Sequence, residues 1–329
     1  MMSNSAHAGG QPEKAPVISV IIPAYNEATG LGTVLSRLHE TLSGLGEPFE
    51  VIVIDDGSRD ETWNILKQEL EKFCQLRAVR LSRNFGKENA ICAGLDAASG
   101  QAVVVLDADL QHPPELIPQM VFKWRQGFKM VEGYKRSRGR ESFISKLSAR
   151  IFYYLLGSIS SFKLQGASDF KLLDRSVLEA WKTLDERNVF FRGMTEWIGF
   201  ERTMVEFDVR ERVAGVSAWS RLQLLSLAVR VITSYSSFPL RLVTIMGVAF
   251  LGMAALLAMQ TIYQKLAGQA LGGFATVNLL ILITGSFLML ALGAIGEYLA
   301  RIYEEVKGRP RYIISDVLGN PSEGPDEPR

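Results

Sequence analysis

The stretch that decides the fold is AVVVLDADLQHPPE, which runs from Ala102 to Glu115. A short apolar run bounded by a Pro-Pro turn predicts a buried strand. The strand leads into Asp107 and Asp109, which are spaced two residues apart. In extended chain, residues i and i+2 point to the same face, so these carboxylates lie roughly 6–7 Å apart. Two ionised carboxylates at a strand end repel each other unless a cation lies near them.

Similar apolar runs occur earlier in the chain, in VISVIIPAYNE, FEVIVIDDGSRDET and LRAVRLSRNFGK, and helical segments separate them. Alternating strands and helices predict an α/β fold with a mostly parallel sheet and helices on both faces. Ligands of such sheets bind beyond the carboxyl ends of the strands. We therefore expect the polar clusters at 25–27, 55–58 and 107–111 to converge on one crevice. The first helix is predicted to bury one apolar face, formed by Leu31, Val34, Leu35, Leu38 and Leu42.

Glycine-rich phosphate loops are missing from this fold. The first strand is followed by PAYNEATGLG, which does not match G-x-G-x-x-G, and no G-x-x-x-x-G-K-[ST] occurs. A bound anion therefore needs another partner. Oxygen ligands suit Mg²⁺ or Mn²⁺, and Asp107, Asp109 and Gln111 are the predicted metal ligands. In the alternative interpretation, the two aspartates only cap the helix that begins in PPELIPQM.

Composition excludes some classes of protein. The chain has 329 residues and a formal net charge of +1, which argues against a nucleic-acid binder. Cys74 and Cys92 lack metal-ligand spacing, and we expect both to be buried thiols in a reducing compartment.

Two uncharged stretches, 242–262 and 277–295, are each about the 20 residues that a membrane-spanning helix needs. Arginines and lysines are concentrated outside this pair of stretches, and only Lys265 lies between them. The positive-inside rule therefore predicts a hairpin in the inner (cytoplasmic) membrane, multi-pass, with both termini in the cytoplasm. The alternative is a buried helical hairpin in a soluble core.

Seven segments, in this order, carry a resemblance to a known family: IIPAYNE, IDDGS, LSRNFGKENA, DADLQHPPELI, SDFKLLDR, ERNVFFRG and GEYLARIYEEVKGRPRYII. Together they resemble the family-2 glycosyltransferases with the GT-A fold, over about residues 17–315. Within that family they are similar to polyprenyl-phosphate glycosyltransferases, such as bacterial undecaprenyl-phosphate glucosyltransferases and dolichol-phosphate mannose synthase.

The resemblance implies transfer of a hexose, with inversion, from a nucleotide sugar to polyprenyl (undecaprenyl) phosphate for cell-envelope glycan modification. UDP-glucose is the first candidate donor, and Mg²⁺ or Mn²⁺ is the implied cofactor. The implied nucleotide-sugar contacts are Pro23, Tyr25, Glu27, Asp56, Asp107, Arg212 and Ser217. The chain departs from many relatives at Ala218, where they carry a polar residue, so one expected phosphate contact is missing.

The acceptor side is implied in the same way. Asp169 resembles the family position proposed as a base or an orienting carboxylate, although a helix N-cap is the alternative. The basic loop EGYKRSRGRES, residues 132–142, is expected to supply catalytic cations, because guanidinium groups suit phosphate oxygens. The alternative is a solvated loop that is attracted to anionic lipid headgroups. The catalytic arginines are Arg136, Arg138 and Arg140, and the implied lipid-phosphate contacts are Lys135, Arg150 and Arg192. We expect His112 to be exposed at a turn and to have no catalytic role.

The predicted organisation has five parts. Residues 213–241 have apolar residues at helical spacing together with arginines, which predicts interfacial amphipathic helices on the lipid bilayer; a core helix of the soluble domain is the alternative. The parts are a disordered N-terminus (1–16), a GT-A domain (17–212), the interfacial segment (213–241), a transmembrane hairpin (242–296) and a cytosolic C-terminal segment with a disordered tail (297–329).

Two further functions remain open. A polysaccharide synthase would usually carry Q-x-x-R-W and more membrane spans, and neither is seen in the sequence. A non-catalytic membrane scaffold would not need the Asp107, Asp109 and Gln111 set. A homo-oligomer is a further prediction, because glycines in the hairpin offer close-packing positions: Gly247, Gly252, Gly285 and Gly293.

Overall fold

The computed structural model describes residues 16–109, 111–135, 167–187, 189–207, 238–267 and 273–319. These fall into two compact units. The first contains the described residues up to 207 together with 310–319, and the second contains those between 238 and 309.

The first unit is an α/β domain, which confirms the predicted fold class. Its strands are β1 (Ile18–Ala24), β2 (Phe49–Asp55), β3 (Leu76–Leu81), β4 (Ala102–Val105), β5 (Met130–Lys135), β6 (Ala167–Asp174), β7 (Arg202–Phe207) and β8 (Ile314–Leu318). Its helices are α1 (Leu31–Ser43), α2 (Thr62–Leu70), α3 (Lys87–Ala97), α4 (Ile117–Arg125), α5 (Arg175–Lys182) and α6 (Phe191–Ile198), with a short 3₁₀ turn at Pro114–Leu116.

The strands form one sheet in the order β7-β5-β6-β4-β1-β2-β3-β8. The central strands β4, β1, β2 and β3 are parallel, as the sequence predicts. Strand β6 runs antiparallel between β4 and β5, and β8 runs antiparallel beside β3. The register places Ala24 opposite Asp55, so the chains that follow β1 and β2 emerge side by side at the same end of the sheet.

The core lies on both faces of the sheet. Helices α1, α2 and α4 cover one face and α3, α5 and α6 cover the other. All seven residues of β1 are buried, as expected for a strand that is covered on both sides. Cys92 is buried as predicted, but Cys74 is exposed, so that prediction is wrong. The predicted apolar face of α1 is confirmed by its buried residues, which are Leu31, Val34, Leu35, Leu38 and Leu42.

The chain returns to this sheet after the second unit. Strand β8 pairs with β3, and two side chains next to it bind the domain. The Arg311 guanidinium donates to the carbonyl oxygens of Leu184 and Glu186. The Tyr312 hydroxyl donates to Asp96 at 2.7 Å. Sequence reasoning placed these residues in a cytosolic segment but did not predict a strand.

The second unit, as described, contains two long apolar helices, α7 (Phe238–Leu266) and α8 (Phe274–Val306). The stretches long and apolar enough to cross a membrane are Val243–Gln264 and Ile283–Val306. Within an apolar 18-residue window of each stretch, 0% of the first and 6% of the second is buried, which is not the burial of core helices in a soluble protein. The rings of Phe250 and Phe287 stack with centroids 4.8 Å apart.

Candidate active site

A pocket of about 290 Å³ opens at the carboxyl ends of β1, β2 and β4. The predicted convergence of polar clusters is therefore confirmed. Its lining residues are Pro23, Ala24, Tyr25, Glu27, Asp56, Asn84, Gly86, Lys87, Ala90, Asp107, Ala108 and Asp109.

Two strand-end loops form one side of the pocket and are joined by reciprocal hydrogen bonds. The Asn26 backbone N–H donates to Ser58 Oγ at 2.9 Å, and the Arg59 N–H donates to Asn26 Oδ1 at 2.9 Å. The Glu27 N–H donates to Thr62 Oγ1 at 2.9 Å. Asn26 has a φ of 56°, a left-handed conformation that asparagine tolerates better than most residues. These contacts fix the backbone on either side of Tyr25 and Glu27.

The Asp56 carboxylate ties the β2 loop to the loop before α3. It accepts the backbone N–H groups of Phe85 at 2.7 Å and Gly86 at 2.9 Å. Burial raises the pKa of Asp56 above its ordinary value, although these two N–H groups act in the opposite direction. Asp56 does not cap the helix that follows it, whose N-cap residue is Glu61. Each carboxylate oxygen retains a lone pair for a ligand in the pocket.

Asp107 and Asp109 lie with His112 in an arrangement that suits a metal ion. One ligand atom from each residue lies within 4.8 Å of the others. Neither the 3₁₀ turn nor α4 has a side-chain N-cap, so the capping alternative for the two aspartates is wrong. The two carboxylates match the preference of Mg²⁺ and Mn²⁺.

His112 differs from its prediction. It is 3% exposed, and its ring lies 5.5 Å from the ring centroids of both Phe170 and Phe207. Its Nδ1 lies 3.6 Å from Asp107 Oδ2. The prediction of an exposed turn residue is therefore wrong. Gln111, which was predicted as a ligand, donates its backbone N–H to Asp109 Oδ1 at 3.1 Å.

Lys87 is a pocket residue that sequence reasoning missed. Its Nζ lies 2.6 Å from Asp107 Oδ1 and 2.6 Å from Asp169 Oδ2. Burial alone would lower the pKa of Lys87, but the two carboxylates raise it above its ordinary value, so the side chain is an ammonium ion at neutral pH. The signal was its position in RNFGKENA, at the end of the loop that follows β3, because loops at the carboxyl ends of parallel strands line ligand pockets.

Asp169 lies within β6, so the alternative interpretation of a helix N-cap is wrong. The carboxylate is 7% exposed and accepts a bidentate pair from Arg192, at 2.6 Å from Nε and 2.9 Å from Nη2. Burial would raise the pKa of Asp169, but Arg192 and Lys87 together hold it well below its usual range. Burial of Glu88 itself, together with the nearby negative charge of Asp169, raises the pKa of Glu88 to about 7. Glu88 accepts the N–H of Phe191 at 2.8 Å and so binds the start of α6.

A buried ion pair lies under this cluster. Lys171 Nζ donates to Glu132 Oε1 at 2.7 Å and to Thr195 Oγ1 at 2.9 Å. Lys171 and Glu132 are 1% and 6% exposed. Because Thr195 lies on α6, these contacts fix the helix that carries Arg192.

Several predicted site residues fall outside the described part of the chain. Lys135 ends β5, but its side chain is not among those described. The others lie outside the described residues: Arg136, Arg138, Arg140, Arg150, Arg212 and Ser217. Of the predicted interfacial segment 213–241, residues 213–237 also lie outside the described residues, and 238–241 belong to α7.

Residues 19–180 match the family described as Glycosyl transferase family 2. The chain is 40% identical to an uncharacterized glycosyltransferase of Synechocystis sp., over 92% of this chain and 96% of the relative. It is 37% identical to the SfII prophage-derived bactoprenol glucosyl transferase of Shigella flexneri, over 92% of this chain and 99% of the relative. The chain belongs to glycosyl transferase family 2.

A solved structure also resembles this family member. Glucosyl-3-phosphoglycerate synthase from Mycobacterium tuberculosis, in complex with Mn²⁺, UDP and phosphoglyceric acid, aligns with a TM-score of 0.48 and 24% identity. The alignment covers 66% of this chain and 78% of that one.

Proposed function

We propose that this glycosyltransferase transfers glucose from UDP-glucose to polyprenyl phosphate, with inversion, and yields a lipid-linked monosaccharide. One observation carries the proposal: the similarity to a bactoprenol glucosyl transferase extends over 99% of that relative, so it includes both the α/β unit and the apolar helices. The pocket chemistry agrees, because carboxylates for a metal and cations for phosphates lie within one cluster.

The donor occupies the pocket at the ends of β1 and β2. Pro23, Tyr25, Glu27 and Asp56 line it and contact the nucleoside, with Asp56 accepting an N–H of the base. Asp107, Asp109 and one of Gln111 or His112 hold Mg²⁺ or Mn²⁺. When bound, this ion neutralises the charge that develops on the departing nucleoside diphosphate. Arg212 and Ser217 add contacts to the diphosphate.

The acceptor phosphate approaches from the Asp169 side. A phosphate monoester has a second pKa of about 6, so at neutral pH it is largely dianionic and needs no strong base. Its oxygen forms the new bond to the anomeric carbon as the bond to the diphosphate breaks, and no proton has to move. A carboxylate with a strongly lowered pKa is a poor proton acceptor. Asp169 therefore orients Arg192 and Lys87 toward the phosphate.

The remaining cations hold the acceptor. Arg192 contacts the lipid phosphate from its position beside Asp169. Lys135 and Arg150 add lipid-phosphate contacts, and Arg136, Arg138 and Arg140 neutralise the two polyanions as they meet. Fork-shaped guanidinium groups suit this role.

The lipid acceptor requires attachment to a membrane. An isoprenoid tail stays in the hydrocarbon, so only its phosphate reaches the pocket. Helices α7 and α8 form the predicted hairpin in the inner (cytoplasmic) membrane, and residues 213–241 lie at its interface. The positive charge outside the hairpin favours a cytoplasmic active site and cytoplasmic termini.

The test is transfer from radiolabelled UDP-glucose to undecaprenyl phosphate by the full chain in detergent. We expect a lipid product that EDTA abolishes and Mn²⁺ or Mg²⁺ restores. Asp109→Asn should reduce the rate by at least about 100-fold, in line with the loss of a key electrostatic group. Asp185→Asn, at an exposed carboxylate, is the matched control and should match the wild type. Absence of product from the wild type with UDP-glucose, or full activity of Asp109→Asn, would contradict the proposal.

A further inference from the structure

Lys87 connects the two halves of the cluster. Lys87 is the first residue of α3. Its ammonium lies 2.6 Å from Asp169 Oδ2, in β6, and 2.6 Å from Asp107 Oδ1, just after β4. Asp107 is one of the candidate metal ligands, whereas Asp169 lies on the side proposed for the acceptor. One side chain therefore touches both halves.

The two carboxylates do not depend on Lys87 equally. Asp169 also has a bidentate partner in Arg192, which neutralises it without help. Near Asp107, the described partners are the ammonium on Oδ1 and the imidazole of His112, 3.6 Å from Oδ2. The charge on Lys87 thus matters more to Asp107, one of the candidate metal ligands, than to Asp169.

An ammonium ion and a divalent cation cannot both bind closely to the Asp107 carboxylate without cost. Both carry positive charge, and within a few ångströms of each other they repel. We propose that Lys87 and the divalent cation compete for Asp107, so that Lys87 sets how tightly the enzyme holds its metal. This inference rests on the proposed function insofar as the metal is the cofactor of transfer.

The competition has a consequence for the acceptor. When the metal takes Asp107, the ammonium keeps its hydrogen bond to Asp169 and has donors free for a phosphate oxygen. Lys87 therefore weakens metal binding before the donor arrives and supports transfer afterwards. A purely structural ion pair predicts the opposite for the metal, because removing Lys87 would let the Asp107 side chain move and would weaken metal binding.

The experiment measures Mn²⁺ binding to the full-length protein in detergent, without donor, by electron paramagnetic resonance of free Mn²⁺. Lys87→Met and Lys87→Gln remove the charge, and Lys87→Arg keeps it. An opposite charge within a few ångströms shifts the proton affinity of a carboxylate by 1–3 pKa units, so we expect roughly 10-fold tighter Mn²⁺ binding in the neutral variants. Lys87→Arg should bind like the wild type. Lys72→Met removes an exposed lysine paired with Glu69 and serves as the control. Transfer by both neutral variants should fall even at saturating Mn²⁺.

The inference would be overturned if a folded neutral variant bound Mn²⁺ no more tightly than the wild type. It would also be overturned if Lys87→Arg bound Mn²⁺ as tightly as the neutral variants. The proposed function fails separately, if the wild type makes no glucosyl lipid. The Mn²⁺ comparison can be read in either case, since it needs neither sugar donor nor acceptor.

Discussion

The ion pair between Lys171 and Glu132 is buried, so removing one of its members should lower the free energy of unfolding. Removing one member of a buried ion pair costs about 3–5 kcal/mol, because it leaves an uncompensated charge. Glu132→Leu does this, since it removes the carboxylate of the pair and leaves the Thr195 hydroxyl as the described hydrogen-bond acceptor of the Lys171 ammonium. Replacing both members by apolar residues of similar volume is often neutral or stabilising. The double variant Lys171→Met/Glu132→Leu should therefore be about as stable as the wild type.

The size of the effect can be expressed as a melting temperature. A change of 1 kcal/mol shifts Tm by about 2–4 °C in a domain of 150–250 residues, so Glu132→Leu should lower Tm by roughly 6–20 °C. Thermal unfolding of the full chain in detergent, followed by tryptophan fluorescence, measures this shift. Trp181 is a suitable probe because it is buried and its ring centroid lies 5.5 Å from that of Phe191 on α6.

The pH dependence has a definite sign. Burial lowers the pKa of Lys171 despite the opposing effect of Glu132, and it lowers it further once Glu132 is gone. Between the folded and unfolded pKa values the native state binds fewer protons than the unfolded state, so stability rises with pH. The loss in Glu132→Leu should therefore shrink as pH rises from 7 toward 10. A Tm at pH 7 within 2 °C of the wild type, or a double variant less stable than Glu132→Leu, would refute this reasoning.

Two further predictions concern a cap and a loop. Asp174 accepts the Ser176 N–H at 3.0 Å as the N-cap of α5 and the Trp124 Nε1–H at 2.7 Å, and such hydrogen bonds lower its pKa to about 2 despite burial. Since a lowered carboxylate pKa stabilises the fold above the unfolded pKa, Asp174→Ala should cost about 1–2 kcal/mol at pH 7, and the deficit should shrink as pH falls from 4 to 2 in thermal melts. Gly57 has a φ of 67°, and a Cβ there would lie 2.5 Å from the Arg83 carbonyl carbon. Gly57→Ala should therefore displace the loop held by Asp56 and raise the KM for the sugar donor several-fold, whereas an unchanged KM would contradict that role of the loop.

The sequence predicted the parts of the fold that depend on local pattern. The buried face of α1 follows from helical spacing, and the pocket follows from the rule that parallel strands end at the same side of a sheet. Strand β6 was harder to predict from the sequence, because Asp169 and Lys171 interrupt its apolar pattern. Their charges are satisfied by Lys87, Arg192 and Glu132, which are distant in sequence.

The same reason explains the errors around the metal motif. His112 follows a polar turn in sequence, but Phe170 and Phe207, from strands far along the chain, bury it. Lys87 is one of many lysines in the sequence, and its contacts with both Asp107 and Asp169, which are distant along the chain, single it out. Local patterns give the places where side chains gather, and tertiary contacts decide which of them are charged, buried or paired.

Strand β8 has a consequence for anyone who wishes to separate the two units. The sheet ends with β7 on one side and β8 on the other, and the apolar helices lie between these strands in the sequence. Cutting the chain after residue 207 would remove β8 from the outer edge of β3 and leave that edge open to pairing with other molecules. A water-soluble version of the catalytic unit must therefore be spliced, with residues 310–319 rejoined through a new linker.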